Sequence, residues 1–172
     1  MPETFLVLTV IGDDRPGLVG ELSAAIAAHR GNWLESSMSR LAGKFAGIVR
    51  VAVPEAQAAA LQAALGNLAA LKVVAESAAE KSVPAGRRLK LALVGHDRIG
   101  IVREVSQVLA RHAVNVEKLE THTASAPMSA ETLFHALAEL CAGAGLDART
   151  LKAELERLSD DLMVDITLDE TL

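Results

Sequence analysis

The run Gly12-Asp13-Asp14-Arg15-Pro16-Gly17-Leu18-Val19 returns as Gly95-His96-Asp97-Arg98-Ile99-Gly100-Ile101-Val102, 83 residues further on. The register holds beyond the run: Glu21 falls on Glu104, Ser23 on Ser106, Ala27 on Ala110, His29 on His112 and Asn32 on Asn115. Gly12 to Glu35 against Gly95 to Lys118 gives 10 identities in 24 positions without a gap, more than a shared richness in alanine produces. The 172-residue chain is therefore two copies of one unit of about 80 residues, and whatever one copy folds into, the other must fold into as well.

Each copy opens on an apolar, β-branched run of the length of a buried strand, Phe5 to Ile11 and then Leu89 to Val94. A turn follows at once. Pro16 suits the first turn of a helix, where its preset φ fits and its missing N–H would have had no partner, and Asp14 ahead of it reads as an N-cap. Leu18, Val19, Leu22 and Ile26 then recur at helical spacing, as do Ile101, Val102, Val105 and Leu109, with Gly31 as the stop after His29. Asn32 to Arg40 and Phe45 to Val53 read as strands around a turn at Ala42-Gly43-Lys44. Pro54 starts an alanine-rich helix to about Asn67, and Leu71 to Glu76 is a last strand. The second copy supplies strands at Asn115 to Thr123 and Thr132 to Cys141, a helix at Asp147 to Leu158 and a strand at Leu162 to Leu168. The order predicts an α+β fold: two ferredoxin-like βαββαβ domains in tandem, each an antiparallel sheet with its helices on one face. The expected domains are residues 1–78 and 89–172. They are joined by a linker at 79–88, because Ser77 to Arg88, with Ser82, Pro84 and Gly86, shows no apolar periodicity.

Composition removes several function classes. With one Trp, three Phe and no Tyr, the chain has few rings on which bases stack, and its net charge of −5 opposes phosphate binding. Arg87, Arg88 and Lys90 come nearest to a basic cluster, and they fall at the expected linker. Cys141 is the single cysteine, so no internal disulfide or cysteine zinc cage forms, and a reducing compartment is expected. No apolar run reaches the roughly 20 residues that span a bilayer. The N-terminus, with Glu3 and no basic flank, does not resemble a signal peptide, so a cytoplasmic location is expected. Catalysis finds no footing: Ser23 and Ser106 fall inside the first helix of each copy, Cys141 has no base beside it, and no P-loop or Gly-x-Ser-x-Gly is present. His96, His122 and His135 are scattered, and His29 and His112 read as helix C-terminal cations, so neither a metal nor a cofactor is expected. Asp160-Asp161 and Asp169-Glu170 read as solvated surface charge.

The turn between the first strand and first helix is the polar feature kept in both copies. Two readings of it stay open. In one, Gly17 or Gly100 lets a small anion approach the backbone at the positive end of the helix, and Asp14 or Asp97 pairs with an ammonium group, together suiting a free α-amino acid. In the other, the aspartate caps the helix and the glycine permits a tight turn. Asn32 and Asn115, at the start of the second strand, are either turn asparagines or amides that reach a neighbouring unit's turn.

A strand–Gly-x-Asp-Arg-Pro-Gly-(Leu/Ile)-Val–helix turn in a βαββαβ unit of this size resembles the ACT domain, a regulatory amino-acid-binding module, and the resemblance covers nearly the whole chain twice. Two such units without a catalytic domain resemble the glycine cleavage system transcriptional repressor group. Ala126-Pro127-Met128-Ser129 followed by Leu133-Phe134 is similar to that group's extended loop between the second and third strands, with Ala130 where glycine is common and Ile99 in place of the motif's proline. The resemblance implies ligand contacts at Gly12, Asp14, Gly17 and Asn32, and at Gly95, Asp97, Gly100 and Asn115. It implies a non-catalytic sensor of glycine or another small amino acid that controls transcription indirectly, through a DNA-binding protein partner. A lone βαββαβ unit exposes one sheet face and its edges, so the units are expected to abut their sheets, either within the chain or between the chains of a homodimer. The alternative to the sensor is a regulatory subunit docking on an enzyme of amino-acid metabolism. Both exclude direct DNA recognition, so a gel shift at physiological salt is expected to show no nanomolar complex with duplex DNA; a salt-resistant shift would refute that expectation.

Overall fold

The computed structural model describes residues 1–80 and 85–168; Ser82 and Pro84 of the expected linker and the Asp169-Glu170 pair lie outside them. The chain divides into two units, 1–82 and 83–172. In the first, β1 (Glu3–Asp13), α1 (Leu18–Ala28), β2 (Asn32–Leu41), β3 (Lys44–Pro54), α2 (Glu55–Gly66) and β4 (Lys72–Ala78) follow one another. The second repeats the series as β5 (Arg87–His96), α3 (Ile101–Arg111), β6 (Asn115–Ser125), β7 (Thr132–Ala142), α4 (Ala148–Glu156) and β8 (Met163–Leu168). Each is the expected βαββαβ unit, with sheet orders β2-β3-β1-β4 and β6-β7-β5-β8 and every pairing antiparallel.

Alternation along the central strands decides which face is covered. Leu6, Leu8 and Val10 of β1 are buried beneath Leu18, Leu22 and Ile26 of α1 and Leu61 and Leu65 of α2. Leu89, Leu91 and Leu93 of β5 are buried in the same way by Ile101, Val108 and Leu109 of α3 and Leu151 and Leu155 of α4. The opposite faces carry Ile48, Val74, Leu137 and Met163, all about half exposed or more. β2 and β6 are edge strands, and every residue of β6 is exposed. Both edge strands have a register shift near their start, between Trp33 and Glu35 and between Val116 and Lys118.

Several local expectations are corrected. The helix begins at Leu18 with left-handed Gly17 (φ 96°) as its cap residue, so Pro16 lies in the turn before the helix and Asp14 does not cap it. The left-handed residue ending α1 is Arg30 (φ 59°). Gly31 is instead needed for space, since a Cβ there would come within 2.7 Å of Ile26 Cγ2. Arg87, Arg88 and Lys90 belong to β5, where Arg87 Nη1 donates to the Leu146 carbonyl (2.8 Å) and Arg88 pairs with Glu117 (3.0 Å). Register also gathers residues that are scattered in sequence. His122 and His135 are cross-strand partners, and their rings stack at 4.6 Å. Asp161 is not simply solvated: its carboxylate accepts from the His96 N–H and from the Ser159 hydroxyl.

One helix has a side-chain cap. The Asp147 carboxylate accepts from Arg149 N (2.9 Å) and from the Thr150 hydroxyl (3.1 Å), and these bonds hold its pKa below the ordinary carboxyl value. A depressed folded pKa gives stability that is present above the unfolded pKa and is lost as pH falls through the folded one. Asp147→Ala is therefore expected to lower Tm near neutral pH, with the gap to wild type closing below about pH 4. Thermal melts from pH 7 to pH 3 measure this, and a gap independent of pH would contradict the capping role.

Candidate functional site

The turn is built the same way in both units. The first residue past the strand donates its backbone N–H to the hairpin formed by the next two strands, Asp14 to the carbonyl of Gly43 in the turn and Asp97 to the carbonyl of Thr132 at the start of β7, both at 2.9 Å. Arg15 then pairs with Glu21 at 2.6 Å and Arg98 with Glu104 at 2.5 Å, fastening the turn to the helix it precedes. Gly17 and Gly100 (φ 96° and 89°) occupy the left-handed region that opens α1 and α3, and neither helix has a side-chain cap. No side chain thus takes the first-turn N–H groups at the positive end of either helix, although in α3 the Ile101 N–H donates to the Arg98 carbonyl (3.4 Å). In the first unit Asp14, Arg15, Gly17, Leu18, Val19, Gly20 and Phe45 line a shallow cavity of about 150 Å³.

The candidate residues have different duties. A Cβ on Gly12 would stand 2.4 Å from the Ala70 carbonyl oxygen, and one on Gly95 would stand 2.7 Å from Leu162 Cδ1. Both glycines are needed by the segment that packs against them just before the last strand. Beyond Gly17 and Gly100 there is open space, Arg15 Nη1 at 3.8 Å excepted, so the backbone is approachable there and the left-handed φ is what demands glycine. Asn32 lies elsewhere. It is level with Ala52 of β3, which is level with Phe5, whereas the turn begins at Gly12, seven residues or about 24 Å along β1. Asn115, level with Cys141 and Arg88, is equally far from Gly95. Within one unit, therefore, no small ligand touches both the turn and the asparagine.

The two turns differ in charge, through residues to which the sequence assigned no part in the turn. In the first unit Arg40 Nε sits 3.1 Å from Asp14 Oδ2, and Lys44 pairs with Asp13, holding the Asp13 carboxyl below the usual range. In the second unit Thr123, level with Phe134, takes the place that Arg40 has beside Phe45, and among the described residues Asp97 has no ion pair. His96 stands where Asp13 does and lies between Glu131 (Nε2, 2.8 Å) and Asp161 (Nδ1, 2.9 Å). The strand pairings bring these groups together, and Arg40, Lys44, Glu131 and Asp161 are all distant in sequence from the motif. The histidines after the first helices are also tied: His29 Nδ1 lies 2.9 Å from the Ala25 carbonyl oxygen, and His112 pairs with Glu154 of α4. No group of three or more His, Cys, Asp or Glu side chains converges as for a metal among the described residues, and Cys141 is buried.

Gly12→Ala is expected to cost roughly 1–3 kcal/mol of stability, because the added methyl meets a backbone carbonyl. Gly95→Ala is expected to cost less, because a leucine methyl can swing aside. Urea unfolding of the two variants makes the comparison, and equal costs would show that Gly12 is not held by Ala70.

Among known proteins, the ACT-domain family model matches residues 4–74, the first unit. No curated protein matches the chain. A crystal structure of a protein of unknown function from Galdieria sulphuraria is 31% identical, with a TM-score of 0.80 over 99% of this chain and all of that one. A protein proposed as a glycine cleavage system transcriptional repressor is similar in fold at 16% identity, with a TM-score of 0.74 over 99% of this chain and all of the other. The second unit repeats the motif and strand order of the first. The first unit belongs to the ACT-domain family, and the chain is a tandem of two units of that fold.

Proposed function

We propose that this protein is a non-catalytic amino-acid sensor whose strand-to-helix turns bind glycine or another small amino acid, and that it acts on transcription through a DNA-binding protein partner. The observation that carries the reading is the pair of uncapped helix starts behind left-handed glycines, each beside an aspartate. Uncapped N–H groups suit a carboxylate, and the aspartate suits the ammonium group. A cavity of about 150 Å³ at the first turn favours a ligand of few atoms. The distance from each asparagine to its own turn adds a condition: Asn32 or Asn115 joins a site only where an edge strand of another unit meets that turn. The fold shared with a proposed glycine cleavage repressor supports the regulatory role. Net charge −5 and the arginines tied into β5 support action through a protein rather than on DNA.

The charge difference ranks the two turns. Asp14 already has Arg40 as a counter-ion, whereas Asp97 lacks an ion pair among the described residues, so the second unit holds the stronger ammonium site. Calorimetric titration of the full chain with glycine, alanine and serine is expected to show saturable binding. Asp97→Asn should weaken it about tenfold to a hundredfold, and Asp14→Asn by less, as expected for loss of one charge-assisted hydrogen bond. Absence of binding at millimolar amino acid would overturn the sensor reading. Recovery of a metabolic enzyme, in place of a transcription factor, in a pull-down from the native cell would overturn the partner.

A further inference from the structure

The open faces of the two sheets carry opposite charges at the same places. Just past the register shift of β2, Glu35 is level with Arg50 of β3, which is level with Val7 of β1. Just past the shift of β6, Lys118 is level with Glu139 of β7, which is level with Lys90 of β5. The row reads acid, base, apolar in one unit and base, acid, base in the other. Both rows line a concavity, of about 290 Å³ over Val7, Glu35, Ile48 and Arg50 and about 180 Å³ over Lys90, Lys118, Leu137 and Glu139. Beside them Ile48 and Leu137, again at matching places, are 54% and 57% exposed.

We infer that the open face of the first unit docks on the open face of the second unit of another copy of this chain. A ligand pocket inherited by duplication keeps the polar groups that hold its ligand, and here both charged positions are reversed. Mutual docking asks for that reversal. A pseudo-two-fold axis between two stacked sheets, running along the row, sets each residue of the row against its counterpart: Glu35 against Lys118, and Arg50 against Glu139. Two faces of the first unit would instead set like charges together, as would two faces of the second. The alternation of charge thus selects the unlike pairing. Ile48 and Leu137 in the adjoining row lose water on both sides, and the concavities receive side chains that project from the opposite face. This surface is separate from the strand-to-helix turns, so it stands whether or not they bind an amino acid.

The test is a charge exchange in the full chain, followed by sedimentation equilibrium. Glu35 and Lys118 are each about half exposed, so their variants fold; thermal melts confirm it. Wild type is expected to dimerise, more weakly as salt rises. Glu35→Lys and Lys118→Glu should each weaken the dimer about tenfold or more, and the double exchange should return most of that loss. The double variant still places a lysine beside Arg50 and a glutamate beside Glu139, so an effect confined to one unit would not be rescued. A chain that stays monomeric at high micromolar concentration overturns the proposal, as does a dimer constant that none of the three variants changes.

Discussion

Two helices cover one face of a four-stranded sheet and leave the other face bare. In each unit all the fully buried leucines of the central strand point to the helical side, because residues alternate faces along a strand and only one face has α1 and α2, or α3 and α4, above it. Much of the remaining surface chemistry follows from that asymmetry. Ile48, Val74, Leu137 and Met163 are left half exposed or more, and β2 and β6 are left as edges. Hydrophobic faces and open edges of this kind are where such sheets meet other protein.

The strand-to-helix turn is the second constraint. A chain that leaves the end of a central strand and must start a helix within a few residues needs a left-handed step, and Gly17 and Gly100 supply it. Because a glycine occupies the capping position, the helix starts without a side-chain cap on its first N–H groups. The geometry that reads as a helix start is therefore the same geometry to which the proposed carboxylate contact is assigned. The aspartates beside it are positioned by backbone bonds to the neighbouring hairpin, not by capping.

Duplication kept this backbone and let the charges drift in compensated sets. Arg15–Glu21 persists as Arg98–Glu104, whereas Asp13–Lys44 gives way to a histidine between two carboxylates, and Arg40 has no basic counterpart. Two units of one architecture thus present different electrostatics at matching places.

Much of the fold was legible in the linear sequence. The repeat at an offset of 83, the apolar runs and the spacing of Leu18, Leu22 and Ile26 determine two βαββαβ units, because hydrophobic period and turn chemistry are local properties of the chain. The motif also marks the turn as the polar feature common to both copies. What the sequence could not decide is which groups meet. The shared preference of Asp and Pro for helix starts placed Asp14 as a cap, and only the left-handed Gly17 moves the start past it, leaving Asp14 to Arg40. Likewise the motif glycines look alike in sequence, yet Gly12 is there for the Ala70 carbonyl and Gly17 for its φ. The distance from Asn32 to its own turn, the stacking of His122 on His135 and the placing of Glu35 beside Arg50 and of Lys118 beside Glu139 rest on strand register. Register is set by packing among segments far apart in the chain, so only the tertiary structure decided them.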